Sequence, residues 1–255
     1  MLTIDRKNGV ARITLDRPEV RNAFDDALIE HLHETLVSLG EDDSVRAVVL
    51  AGNGPAFCAG ADLNWMKRMA AYSYEENLAD ARALAEMLSA LDRMGKPTIA
   101  RVHGPAFAGG TGLVAACDIA VGTPEAKFCF SEAKLGLSPA TISPYVLRAV
   151  GERAARRYFL TAEVFDAQEA LRVGMLSILT DKLDETIDGL LKHLLAGGSQ
   201  AIARIKALIR AVTSAPLDEA MIADTARRIA EIRVSTEGRE GIASFLEKRK
   251  PSWAK

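Results

Sequence analysis

Two short runs of small residues stand where an extended apolar stretch gives way to a helical pattern: Phe57-Cys58-Ala59-Gly60-Ala61-Asp62-Leu63 and Ala108-Gly109-Gly110-Thr111-Gly112-Leu113. Turns of this kind leave backbone N–H groups without partners, and bare Cα atoms let an anionic oxygen come close to them. The N–H of Ala61, just after Gly60, and that of Gly109, just before a helix opened by Gly110, are the candidate donors. Glu132 follows about a helix and a strand later. Two fixed donors and one acid describe chemistry on a polarised carbonyl. The donors hold charge developing on its oxygen, and losing one such donor costs roughly 3–4 kcal/mol. The acid moves a proton at a neighbouring carbon. Phe128, Phe130 and Leu135 flank Glu132, so desolvation is expected to raise its pKa towards the working range of a general acid–base.

Other chemistries fail on spacing. There is no G-x-x-x-x-G-K-[ST], no G-x-G-x-x-G opening a helix after a strand, and no G-x-S-x-G around a serine nucleophile. The four histidines lack metal-ligand spacing; His31 and His33 would point in different directions from a helix. No metal site is expected. Cys58, Cys117 and Cys129 are odd in number, widely spaced and set among apolar or small residues. They read as reduced packing residues of a cytoplasmic protein.

The elements that must carry these residues alternate in the N-terminal third. Val10–Leu15 has the period of a strand, Ala27–Leu39 that of a helix, and Val45–Leu50 is a buried strand closed by Gly52-Asn53-Gly54-Pro55. Ser73 with Glu76 forms a capping box at the head of a helix reaching about Met94. Thr98–Val102 is a strand, Gly110–Cys117 a short helix, and Ile119–Val121 and Lys127–Phe130 are brief extended pieces. From Thr141 the pattern is helical almost throughout. Asp166 with Glu169 repeats the capping pattern, Leu176–Leu179 is one late strand, and Ser199 is the expected cap of a helix over Gln200–Val212. Leu217–Arg233 and Glu237–Lys248 finish the chain as amphipathic helices.

At 255 residues and 49% hydrophobic, the chain is long and apolar enough for one large core, with a soft boundary at Gly197-Gly198. A net charge of -2 gives no reason to expect nucleic acid or a membrane surface as partner. The basic cluster Lys248-Arg249-Lys250 remains a place for a phosphate-bearing ligand. Met1-Leu2-Thr3-Ile4-Asp5-Arg6 turns charged at once, unlike a secretory signal. No apolar run approaches the ~20 residues of a membrane span.

The combination of Arg17-Pro18-x-x-Arg21-Asn22-Ala23, the run Phe57–Leu63, Gly109-Gly110 with Ala116-Cys117-Asp118-Ile119, and Phe130-Ser131-Glu132 resembles the enoyl-CoA hydratase/isomerase (crotonase) superfamily. Leu160-Thr161-Ala162-Glu163 and Phe245-Leu246-Glu247-Lys248-Arg249 extend the likeness over essentially the whole chain. Leu63-Asn64-Trp65-Met66-Lys67 and Leu137–Tyr145 resemble the bacterial methylglutaconyl-CoA hydratase-like branch. The resemblance implies an α/β fold, a spiral of ββα repeats over residues 1–195 with a helical segment over 196–255. In relatives that segment assembles trimers, often doubled to hexamers. It implies an acyl-CoA substrate, with coenzyme A entering as part of that substrate and no further cofactor. Ala61 and Gly109 would then form an oxyanion hole for the thioester, and Glu132 would be the acid/base. The backbone around Ala59–Leu63 (Ala59, Gly60, Asp62 and Leu63), with Arg21, would follow the pantetheine and adenine. Phe245 and Lys248 would close over CoA, sometimes from a neighbouring subunit.

One departure bears on the reaction. Hydratases of the best-known type carry a first glutamate three residues beyond the central glycine of Gly-Gly-Gly, and that position is Gly112 here. Glycine holds no water and moves no proton. Several readings follow: Glu132 alone; a hydroxyl such as Thr111, Ser138 or Thr141 positioning the water; or a branched acid substrate bringing its own carboxylate. The expected activity is hydration/dehydration of a short or branched 2-enoyl-CoA, with a Δ3-Δ2 isomerase or a non-catalytic acyl-CoA-binding subunit as alternatives.

Overall fold

A computed structural model of the chain describes residues 1–254. The chain opens with strands β1 (Leu2–Lys7) and β2 (Val10–Leu15), joined at Asn8-Gly9 with both residues at positive φ, 52° and 80°. That is the backbone a tight two-residue hairpin needs. Along β2, Ala11, Ile13 and Leu15 are buried in strict alternation, as their spacing predicts. β1 is exposed along nearly its whole length and has no apolar period that would reveal it.

There follow α1 (Asp26–Glu41), β3 (Ala47–Gly52), α2 (Leu63–Met69), α3 (Tyr74–Arg93), β4 (Thr98–Val102), β5 (Ala106–Phe107), α4 (Gly109–Ala116), β6 (Ile119–Gly122) and β7 (Lys127–Cys129). A 3₁₀ turn, Glu132–Leu135, leads to α5 (Ser143–Thr161), β8 (Phe165–Asp166), α6 (Ala167–Val173), β9 (Ile178–Leu179) and α7 (Leu183–Ala196). The chain ends in α8 (Ser199–Thr213), α9 (Glu219–Val234) and α10 (Thr236–Leu246).

The main sheet has the order β1-β2-β3-β4-β6-β9, and a small sheet has the order β5-β7-β8. Every neighbour pair of the main sheet beyond β1–β2 is parallel, so each step needs a crossover. Those crossovers carry the helices and, between β4 and β6, one strand of the small sheet. The result is a spiral in which the chain repeatedly leaves one sheet, visits the other and returns. β3 is buried on both faces, which is why it reads as a continuous apolar run. Val48 and Leu50 join the main core, whereas Ala47 and Val49 pack with Ile99, Val121, Ile187 and Leu191 under α7.

Several boundaries differ from the sequence expectation. β3 starts two residues later than Val45, because Val45 instead closes a turn by donating its N–H to Asp42 O (2.9 Å). The late strand shrinks to Ile178–Leu179. α2 is a helix that periodicity did not reveal, being only seven residues long. Ser199 does not cap α8. The Glu237 carboxylate, from α10, accepts from Gln200 N (3.1 Å) and Ala201 N (2.7 Å) instead. The Ser73–Glu76 capping box is present with both of its hydrogen bonds.

α8 is tied to the sheet by the buried Lys206, whose Nζ donates to Lys96 O (2.9 Å) and Asp118 Oδ2 (2.5 Å). α9 and α10 leave Ile222, Ile229, Val234, Ile242, Phe245 and Leu246 exposed. Among the described residues, no helix is long and apolar enough to cross a membrane.

Candidate active site

The first donor is built on the segment between β2 and α1. Asn22 is fully buried with φ 57°, a backbone state that asparagine tolerates better than most residues. Its Nδ2 faces three carbonyls, Asn53 O (2.8 Å), Ala56 O (2.9 Å) and Phe57 O (3.2 Å), while its Oδ1 accepts from Arg17 N (2.9 Å). One side chain thereby shapes the loop after β3. Arg21 O accepts from Ala59 N (3.0 Å), Phe24 N donates to Gly60 O (2.6 Å), and Asp62 N donates to Phe24 O (2.7 Å). Gly60 O and Asp62 N both face Phe24, so the N–H of Ala61 between them points to the opposite side. Among the described residues it has no hydrogen-bond partner.

The second donor lies where β5 becomes α4. Ala108 sits at φ 46°, ψ -118°, a sparsely populated conformation for a residue with a Cβ. Its N–H donates to Cys129 O (2.8 Å), and its carbonyl accepts from Thr111 N (3.0 Å) and Gly112 N (3.2 Å). Gly109 is the first residue of α4 rather than the one before it. Its N–H, too, is without a partner among the described residues. The two loops touch: a Cβ on Gly60 would stand 3.0 Å from Ala108 Cβ, and Gly110 packs on the Cys58 carbonyl. Phe107 N donates to Cys58 O (2.9 Å), and Phe57 N to Pro105 O (3.0 Å). Both partnerless amides therefore sit on adjoining, mutually bonded loops, the second at the start of a helix, where the dipole adds positive potential.

β7 links this turn to the acid. The Cys129 carbonyl that holds Ala108 is three residues before Glu132, which opens the 3₁₀ turn. Glu132 Oε2 is buried and has no hydrogen-bond partner. Burial pushes this carboxyl above its ordinary value of 4.5, and only a hydrogen bond to its own backbone opposes the shift. Phe128 and Phe130 are fully buried, Phe130 edge-on to Phe159 with centroids 4.7 Å apart. Leu135, expected beside them, instead faces outward at 56% exposed.

Gly112 is closed. Ile142, 2% exposed at the head of α5, fills the space that a side chain there would need; its Cβ stands 2.8 Å from where one on Gly112 would be. Thr111, a candidate to hold water, is fully buried and donates its hydroxyl to Ala106 O (2.7 Å). It is spent on the turn. Ser138 is exposed and Thr141 half-buried.

Arg21, Ala59, Ala61, Asp62 and Leu63 line one cleft of about 460 Å³, with Glu19 and Lys67 on its rim. Two larger grooves, of about 530 and 660 Å³, include neither amide in their walls. Asp62 does not offer its carboxylate to the cleft. It caps α2, accepting from Asn64 N (2.8 Å) and Trp65 N (3.3 Å), and pairs with Arg17 Nη2 (3.3 Å). Phe245, 82% exposed, and Lys248, φ 53°, lie at the end of α10 and line no part of this cleft within one chain. Sequence reading gave Asn22 only as a landmark and did not single out Phe24 or Ile142. All three act through contacts distant in sequence. The cysteines are unpaired, and burial pushes the thiols of Cys58 and Cys117 up to about 12, so they are inert packing groups. Among the described residues, no group of three or more His, Cys, Asp or Glu is placed to hold a metal ion.

Known proteins share this fold from end to end. A crystal structure of an enoyl-CoA hydratase from Shewanella pealeana superposes with a TM-score of 0.97 at 45% identity, covering 99% of this chain and 95% of that one. Enoyl-CoA hydratase AKT6-1 of Alternaria alternata is 36% identical over 95% of this chain and 80% of its own length. The 2,3-dehydroadipyl-CoA hydratase of Escherichia coli is 32% identical over 99% of this chain and 98% of its own. The fold is the crotonase fold. The family model described as enoyl-CoA hydratase/isomerase matches residues 5–255, and the chain belongs to that family.

Proposed function

We propose that the protein adds water to, and removes it from, a short or branched 2-enoyl-CoA thioester. The observation that carries this reading is the buried, partnerless Oε2 of Glu132, three residues after the Cys129 carbonyl that holds Ala108, together with two amides that are themselves without partners. A buried polar atom left unpaired costs about 1–3 kcal/mol, and such a cost is kept where a ligand supplies the missing partner.

In this mechanism the thioester oxygen accepts from Ala61 N–H and Gly109 N–H. The ionised Glu132 takes a proton from water as the water oxygen bonds to the β-carbon. The double-bond electrons move into the thioester as an enolate, whose charge the two amides hold. Glu132 then returns that proton to the α-carbon, so one carboxylate serves both steps. Burial raises its pKa, which makes the carboxylate a stronger base for the first of these steps. CoA would lie along Arg21 and the Ala59–Leu63 strip, with Phe245 and Lys248 reaching a neighbour's site in a trimer or hexamer assembled through α8–α10. No cofactor beyond the CoA of the substrate enters this scheme.

A second reading, Δ3-Δ2 isomerisation, is favoured by one observation: the place of a second carboxylate at Gly112 is filled by Ile142. Moving one proton between two carbons needs only one acid/base. Incubating the protein with 2-enoyl- and 3-enoyl-CoA esters, glutaconyl-type acids included, in ¹⁸O water and reading product masses and, by NMR, the double-bond position separates the two. Hydration gives ¹⁸O-labelled 3-hydroxyacyl-CoA. Isomerisation gives a product of unchanged mass and no label. Neither product would contradict both readings.

A further inference from the structure

We propose that Phe24 is a positioning residue that sets the spacing of the two amide donors. The proposal rests on the oxyanion reading above and goes beyond it by naming what fixes the gap. Phe24 touches both donor peptides. Its backbone N–H and C=O bond Gly60 O (2.6 Å) and Asp62 N (2.7 Å), the two groups that bracket Ala61. Its ring lies against Gly109: a Cβ there would stand 2.6 Å from Phe24 Cε2 and 2.9 Å from Cδ2.

Gly109 lacks the positive φ that would by itself demand glycine, being the first residue of α4. Glycine is needed at this position because the ring edge occupies the place of a side chain. Phe24 is itself held on both sides and is 1% exposed. Before it, Asn22 is locked by its three carbonyl partners. After it, Asp25 caps α1 by accepting from Leu28 N (2.8 Å). The ring therefore cannot retreat, and α4 begins where the ring stops it.

An oxyanion hole works only when both donors reach one oxygen at about 2.7–3.1 Å. A misplacement of about 1 Å costs on the order of 100-fold in rate. Shortening the residue at position 24 keeps the backbone bridge that orients Ala61 and removes the stop for Gly109.

The experiment compares wild type, Phe24→Leu, Gly109→Ala and the double variant. Phe24→Met, unbranched and more adaptable in shape, is the reserve if Phe24→Leu does not fold. Readouts are steady-state kinetics with a 2-enoyl-CoA and the isotope-edited infrared carbonyl stretch of the bound thioester. Phe24→Leu should lower kcat roughly 10- to 100-fold with KM within about threefold, and shrink the carbonyl red shift. Gly109→Ala should lose more than about 100-fold, and adding Phe24→Leu should recover at least about tenfold of that loss. A full carbonyl shift and unchanged kcat in Phe24→Leu would overturn the role of the ring alone. So would losses that simply multiply in the double variant. A wild-type protein that binds the thioester without any red shift would overturn the oxyanion reading itself.

Discussion

Ile142 stands in the space that a side chain at Gly112 would claim, with its Cβ 2.8 Å from the point where a new Cβ would be built. The two positions, 30 apart in sequence, are coupled in size. Gly112→Ala should therefore destabilise the fold by about 1–3 kcal/mol through overpacking. Ile142→Ala alone should cost about 2–5 kcal/mol through a cavity. The double variant should cost less than the sum, because each change relieves the other. Thermal unfolding of the four proteins checks this; a neutral Gly112→Ala would show that the position is open.

The Glu132 carboxyl is held above its ordinary value by burial. Below the pKa of the unfolded chain both states are protonated and the group costs nothing. As pH rises through the raised folded pKa the unfolded state ionises first, so stability is lost. Glu132→Gln should then be more stable than wild type at neutral pH, by about 1 kcal/mol, and equal to it near pH 3. Denaturant titrations at the two pH values read this difference. A variant less stable at neutral pH would indicate a structural partner for the carboxylate.

The same shift predicts a rate profile. In the proposed reaction hydration begins with the ionised form, so kcat/KM should fall as pH drops through an apparent pKa above the 4.5 of an ordinary glutamate. Stopped-time assays across the acid range locate that limb. A rate flat down to pH 4.5 would remove Glu132 from the proton transfer.

Asn22 Nδ2 shares its two hydrogens among three carbonyls of the loop that ends at Ala61. Asn22→Ala strands them in a dry site and should cost about 3 kcal/mol or more, a fall in Tm on the order of 10 °C. Differential scanning calorimetry tests this. A Tm unchanged within about 2 °C would mean water replaces the side chain.

Much of the scaffold was legible because its signals are local. The alternation in Val10–Leu15, the apolar strand Thr98–Val102 and the Ser73–Glu76 box each declare themselves within a few residues, and each is present. The turns carrying Ala61 and Gly109 stood out for the same reason. What remained hidden depends on distant partners. Glu237 caps α8 from 36 positions away from Ala201. β1 hides because its exposed residues carry no apolar period. The capping of α2 by Asp62 hides because α2 is too short to show a period. The packing of Phe24 on Gly109 and of Ile142 on Gly112 leaves in the sequence only a glycine whose reason lies elsewhere.

In the proposed reaction one carboxylate moves the proton while two backbone amides hold the thioester oxygen. Turnover of a 2-enoyl-CoA by wild type and by Glu132→Gln, with the affinity of each for a non-reactive acyl-CoA, tests it most directly. The expected result is a loss of roughly 10²–10⁴-fold in kcat at nearly unchanged affinity. A Glu132→Gln protein that keeps turnover within about tenfold of wild type would contradict it.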